Sequence, residues 1–160
     1  MSEQVYLDIT WAQAGKLIDK LVKKISLTMI ARNELSAKPI KYVYGLPRGG
    51  LCIAAALSHK LGIKYIHTID EFIDVDFQND GVVLIVDDLS DTGATLIDTI
   101  NKLEYACIDF ETATLHIKKD TAYIPDSVAD DLPKERSVWV RYPWECKDST
   151  NDRTTKPTNR

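Results

Sequence analysis

The stretch from Gly81 to Leu96 restricts what this chain can fold into more than any other. Five aliphatic residues, Val82 to Val86, run without interruption. Such a run suits a parallel strand covered on both faces, not a strand with one wet side. Two carboxylates, Asp87 and Asp88, follow at once, where the strand is expected to leave the core. Ser90 to Thr95 is then rich in hydroxyls and glycine, and Leu96, Ile97, Ile100 and Leu103 recur at helical spacing. The order is strand, acidic tip, hydroxyl-glycine loop, helix N-terminus. That arrangement makes an anion site, because free backbone N–H groups and the positive end of the helix dipole point into the loop. A phosphate on Thr92 to Thr95, beside an acid pair accepting hydrogen bonds from hydroxyls of the same ligand, describes a sugar phosphate. The plainer reading of an acidic turn before a helix is an N-cap. A Walker ATPase is excluded, because no G-x-x-x-x-G-K-[ST] run exists in the chain.

The flanking sequence supplies an α/β frame. Thr10 reads as an N-cap, and Trp11, Ala14, Ile18, Leu21, Val22, Ile25 and Met29 predict one amphipathic helix to about Arg32, with Lys16, Lys20, Lys23 and Lys24 on its solvated face. Ile40 to Leu46 predicts a strand, Leu51 to Leu61 a buried helix closed by Gly62, and Ile63 to Thr68 a short strand. Asp70 to Asp80 reads as a hairpin or flap. Phe110 to Ile117 predicts a strand, Lys118 to Arg136 a loop-rich stretch, and Ser137 to Tyr142 a last strand. From Lys147 onward no aliphatic residue occurs, so 147–160 is expected to be a disordered tail behind one domain at 1–146. Alternating strands and helices indicate an α/β fold with a parallel sheet. Ligands of such sheets bind beyond the carboxyl ends of the strands, so the loops at Pro47, His67, Asp87 and Lys118 are expected along one edge.

Composition removes several classes of function. A net charge of −4 argues against a nucleic-acid partner. No apolar run approaches the roughly 20 residues of a membrane helix, and Met-Ser-Glu-Gln opens no signal segment, so a cytoplasmic protein with no membrane partner is expected. Three scattered cysteines indicate neither a disulfide framework nor a zinc site; Cys52 and Cys107 read as small core residues. His59, His67 and His116 show no metal spacing.

Pro47-Arg48-Gly49-Gly50, between a strand and a helix, is a second anion cradle, with glycines for close main-chain approach and Arg48 for charge. The two loops together carry a resemblance. The run from Asp87 to Thr95, Asp-Asp-x-x-x-Thr-Gly-Ala-Thr after a hydrophobic strand, resembles the ribose-phosphate signature of type I phosphoribosyltransferases. Two further runs, Ala113 to Lys118 and Val138 to Glu145, resemble the purine hood of the xanthine-guanine members.

The resemblance implies that family's fold, a mostly parallel central sheet flanked by helices with a small C-terminal hood at about 110–146. It implies transfer of the 5-phosphoribosyl group of phosphoribosyl pyrophosphate to a 6-oxopurine, with small molecules as partners and a homodimer or homotetramer as the assembly. By the same resemblance Ser90, Asp91, Thr92, Gly93, Ala94 and Thr95 bind the 5′-phosphate. Pro47, Arg48 and Gly49 bind the pyrophosphate, with a cis peptide before Arg48. Asp87 and Asp88 hold the ribose hydroxyls and Mg²⁺, and Asp91 is the acid or base at purine N7. Lys118 donates to the 6-oxo group, Trp139 stacks on the base, and carbonyls near Val140 read the 2-substituent. One departure stands out. The flap of related purine enzymes often carries Ser-Tyr, whereas Asp70 to Asp80 has none and holds five carboxylates. A non-catalytic nucleotide-binding regulator and a transferase using a non-purine base remain the alternatives.

Overall fold

The computed structural model describes residues 5–74, 81–132 and 138–145. The chain order is β1 (Val5–Asp8), α1 (Trp11–Glu34), β2 (Ile40–Gly45), α2 (Gly50–Leu61), β3 (Lys64–Ile66), α3 (Ile69–Asp74), β4 (Val82–Ser90), α4 (Ala94–Tyr105), β5 (Phe110–Ile117), β6 (Ser127–Asp131) and β7 (Val138–Arg141). The main sheet runs β3-β2-β4-β5-β6 and every pairing in it is parallel. Its centre is β4, as two-sided apolarity requires. Val82, Leu84 and Val86 pack with Leu21 and Ile25 of α1 and Ile53 and Leu57 of α2. Val83 and Ile85 pack with Leu96, Ile100 and Leu103 of α4 and Phe72 of α3. Alternation along one strand thus feeds two cores, and the architecture is three layers.

Local signals place the helix ends. Thr10 caps α1 in a capping box, its hydroxyl accepting from the Gln13 N–H while Gln13 Oε1 accepts from the Thr10 N–H. Gly62 closes α2 in the left-handed region, as expected.

Several expectations are corrected. The strand does not leave the ladder at Asp87; it continues to Ser90, because β5 runs on to Ile117 and pairs Asp87 with Thr114 and Ser90 with Ile117. The start of the expected flap is helix α3, anchored by Phe72 against the Tyr42 ring at 5.1 Å; residues 75–80 lie outside the described residues, as does the expected tail. Within the loop-rich stretch, Ser127–Asp131 forms the edge strand β6. β1 was not expected at all. It pairs in parallel with β7 as a separate two-stranded ribbon, so the layer outside the main sheet draws on both ends of the chain. Cys52 and Cys107 are exposed, not core residues, and α2 buries Ile53, Ala54 and Leu57 while leaving Leu51 open.

Strand order reverses between β2 and β4. The chain leaves β2 for α2 on one face and β4 for α4 on the other, so a crevice opens between their carboxyl ends. Among the described residues no helix is long and apolar enough to cross a membrane.

Candidate active site

The crevice widens into a cleft of about 700 Å³, lined by Pro47, Arg48 and Gly49 on one side and by residues 87–96 on the other. Its size is that of a small-molecule site. Both loops therefore face the same space, and each ends in a helix N-terminus whose N-cap residue is a glycine, Gly49 before α2 and Gly93 before α4; the Ala94 N–H donates to Thr92 Oγ1 at 3.3 Å, and the Gly50 and Leu51 N–H groups donate to the Leu46 and Arg48 carbonyls. The positive end of each helix dipole is directed at the cleft, which favours an anion there. Thr92, Ala94 and Thr95 are exposed at the cleft. Gly93 has φ +82, a conformation that favours glycine, and a Cβ there would lie 2.8 Å from the Tyr123 nitrogen. The Pro47–Arg48 peptide is cis. Ser90 lines the cleft, yet its hydroxyl is spent inward, bonded to Thr121 Oγ1 at 2.8 Å and donating to the Tyr123 carbonyl at 2.9 Å.

The carboxylates stand between the loops. Asp88 is 6% exposed and Asp87 is half-buried, its Oδ1 accepting from the Asp88 N–H at 2.9 Å. Gly49 presses on the Asp88 carboxylate so closely that a Cβ would fall 2.3 Å from Oδ2. Asp91, on the rim, pairs with Lys118 at 2.8 Å. Lys118 also stands 5.9 Å from the Trp139 ring centroid, within cation–π range. The hydroxyl-glycine loop, the lysine and the aromatic thus form one chain of contacts leading out of the cleft.

The ribbon orients the rest. Val138 and Val140 turn inward, and Trp139 and Arg141 turn outward beside Tyr6 and Asp8. The Val140 side chain is core, 1% exposed. The Arg141 carbonyl accepts from Ile9 across the ribbon, so alternation aims the Val140 carbonyl at the opposite edge. Arg141 itself is held by Asp8 through two bonds of 2.6 and 2.9 Å and lies over the Tyr6 ring at 4.4 Å. His67 packs against Tyr65 and is not among the cleft-lining residues.

Sequence reasoning missed part of the wall. Trp144 and Glu145 line the cleft, because the chain turns at Pro143 after β7 and folds back; the Pro-Trp-Glu sequence was the available signal. It also missed the buried pair behind Asp88, where His116 Nδ1 lies 2.8 Å from the Tyr142 hydroxyl. Burial pushes the His116 pKa down, with Asp130 opposing and Lys20 reinforcing the shift.

Comparison with known proteins meets this geometry. The chain is 30% identical over 131 residues to a xanthine-guanine phosphoribosyltransferase of Idiomarina loihiensis, a match covering 72% of this chain and 78% of that protein. The chain belongs to the type I phosphoribosyltransferase family. Among solved structures of the family, a purine phosphoribosyltransferase from Pyrococcus horikoshii superposes with a TM-score of 0.66 at 28% identity, covering 88% of this chain and 94% of that one. A Helicobacter pylori xanthine-guanine-hypoxanthine phosphoribosyltransferase shares the fold, with a TM-score of 0.66 at 21% identity over 94% of this chain and 99% of that one. No family model matches the chain.

Proposed function

We propose that the protein transfers the 5-phosphoribosyl group of phosphoribosyl pyrophosphate to a 6-oxopurine, releasing pyrophosphate and a nucleoside 5′-monophosphate. The observation that carries this reading is the convergence of two glycine-led helix N-termini on one cleft with buried Asp88 and half-buried Asp87 between them. A ligand matching it has an anionic group at each end and neutral hydroxyls in the middle. The loop at 92–95 takes the 5′-phosphate, and Pro47, Arg48 and Gly49 take the pyrophosphate. Asp87 and Asp88 accept from the ribose hydroxyls, which leaves C1 exposed toward Asp91.

Displacement at C1 passes through a cation-like pentose, so fixed charge and exact placement supply most of the acceleration. The donor set fits Mg²⁺: Asp87 and Asp88 offer hard oxygens, while among the described residues no cluster of three or more His, Cys, Asp or Glu side chains makes an all-protein cage. An ion of that kind keeps waters and takes oxygens from substrate. Bound there, it would neutralise the pyrophosphate.

The Asp91–Lys118 pair supports the 6-oxopurine part of this reading. N7 and the 6-oxo group are neighbours on one edge of the base, and their partners here sit 2.8 Å apart. Lys118 donates to the carbonyl and Asp91 serves N7. A 6-amino group would aim a donor at the ammonium, and sites built on such hydrogen bonds discriminate strongly. Trp139 offers the stacking face.

The test mixes protein, Mg²⁺ and phosphoribosyl pyrophosphate with guanine, xanthine, hypoxanthine, adenine or uracil and measures pyrophosphate. Release with the 6-oxopurines and none with adenine or uracil is expected. Nucleotide binding without release for any base would favour the regulator instead.

A further inference from the structure

Beyond Val86 the central strand loses a neighbour. β2 ends at Gly45, and the Leu46 N–H takes the Val86 carbonyl at 2.9 Å. Carbonyls along a strand alternate between its two edges, so the next one aimed at the vacated side belongs to Asp88. Asp88 is buried, and a buried carbonyl without a donor is costly. The missing donor comes from the other end of the chain: the Tyr142 hydroxyl donates to the Asp88 carbonyl at 2.9 Å.

That hydroxyl is itself held. Tyr142 is 2% exposed, and His116 Nδ1 lies 2.8 Å from its oxygen. A phenol has one proton, and here it goes to the carbonyl, so the oxygen accepts from the imidazole and the network assigns the proton to Nδ1. Burial favours the neutral form of that ring, with Lys20 acting in the same direction and Asp130 against it. Trp144 stacks flat on Tyr142, centroids 5.1 Å apart and planes at 2°, and its indole N–H points at Asp88 Oδ2 at 3.4 Å. With the Gly49 backbone on the carboxylate, the acid is bounded by main chain and indole while its peptide is tied from behind.

We propose that Tyr142, oriented by His116, is a positioning residue that sets the register of Asp88 toward the ribose hydroxyls. The inference rests on the phosphoribosyl-transfer reading. It assigns to the strap after β7 a task at the pentose end of the site, distinct from base recognition by Trp139. Site geometry must hold to about 0.5 Å to be productive, and one hydrogen bond at the peptide of an acid adds to that restraint on the side where β2 has stopped.

The experiment compares wild type with Tyr142→Phe, His116→Leu and His116→Asn, the last retaining a side-chain N–H near the Nδ1 position. Thermal melts check each fold. Tyr142→Phe and His116→Leu are expected to lower kcat/KM for phosphoribosyl pyrophosphate by about 10- to 100-fold, the range for residues orienting a ligand through a second contact. The KM for the base should stay within about twofold, since uniform binding of the base is untouched. His116→Asn should recover most of the loss. Equal effects on both substrates, an unchanged Tyr142→Phe enzyme, or identical His116→Leu and His116→Asn enzymes would each overturn the inference. If Tyr142→Phe does not fold, the two His116 variants decide it. Should wild type release no pyrophosphate with any base, the functional reading has failed by itself. Calorimetric affinity for phosphoribosyl pyrophosphate then decides the positioning role: a loss of about tenfold or more in Tyr142→Phe supports it, and an unchanged affinity in Tyr142→Phe, or none detectable in wild type, overturns it.

Discussion

Replacing Gly49 with alanine tests the site at its tightest contact. The backbone of Gly49 is ordinary, φ −61 and ψ −40, so alanine meets no conformational penalty there. The penalty is steric. A Cβ would lie 2.3 Å from Asp88 Oδ2 and 2.4 Å from Cγ, about 1 Å inside ordinary van der Waals contact. Either the loop at Pro47 to Gly49 retreats or the Asp88 carboxylate does, and the gap between the two halves of the cleft grows by that distance. A misplacement of about 1 Å costs on the order of 10²-fold in rate, or about 2.7 kcal/mol of transition-state stabilisation. Steady-state pyrophosphate release should therefore show kcat/KM for phosphoribosyl pyrophosphate falling about 100-fold, while thermal melting reports about 1–3 kcal/mol of overpacking cost. Gly15→Ala is the control: it sits in α1 with nothing within 4 Å of an added Cβ, so it should leave turnover unchanged and stabilise by about 0.5–1 kcal/mol. A Gly49→Ala enzyme within about threefold of wild type would refute the claim that this contact sets the geometry.

Other side chains make equally specific demands. Asp91→Asn should cut kcat by about 10²- to 10⁴-fold, the usual worth of a positioned acid or base, while calorimetric nucleotide affinity stays largely intact; unchanged turnover would remove Asp91 from catalysis. Cys107 follows α4 with φ 56, so Cys107→Gly should stabilise by about 1 kcal/mol, read as a rise in Tm. His116 titrates below its ordinary value of 6.5 because burial disfavours its charge. The unfolded chain then binds the proton first, so stability is flat above pH 6.5 and falls as pH drops from there toward the folded value. His116→Asn should flatten Tm across that window. Asp130, held below 3.8 mainly by its hydrogen bond from Lys20, keeps its contribution above 3.8 and loses it as pH falls below that value.

Legibility followed the source of each constraint. Where a residue's neighbours in sequence dictate its state, the reading succeeded: the aliphatic run of β4, the Thr10 capping box and the left-handed Gly62 all follow from local chemistry. Where the partner is distant, the sequence was silent. Val5 to Asp8 is a strand only because Val138 to Arg141 lies beside it. Ser127 to Asp131 is an edge strand whose mixed burial erases the period-two signal. Asp87 and Asp88 read as a loop because acids rarely sit on a central ladder, and only the length of β5 keeps them there. The residues lining the two anion loops were readable because glycine, threonine and arginine occur there for backbone and charge reasons. Trp144, Glu145, Tyr142 and His116 were not, since their roles exist only after the chain folds back on Asp88.

The parallel ribbon joins one of the earliest described residues to one of the latest: Asp8 grips Arg141 across a separation of 133 positions. A contact over that separation cannot form until β7 has been made, and closing so large a loop is entropically slow. During synthesis β1 is therefore made first and waits for β7, so Trp139 and the ribbon that holds it take their places only after both loops of the cleft have been made.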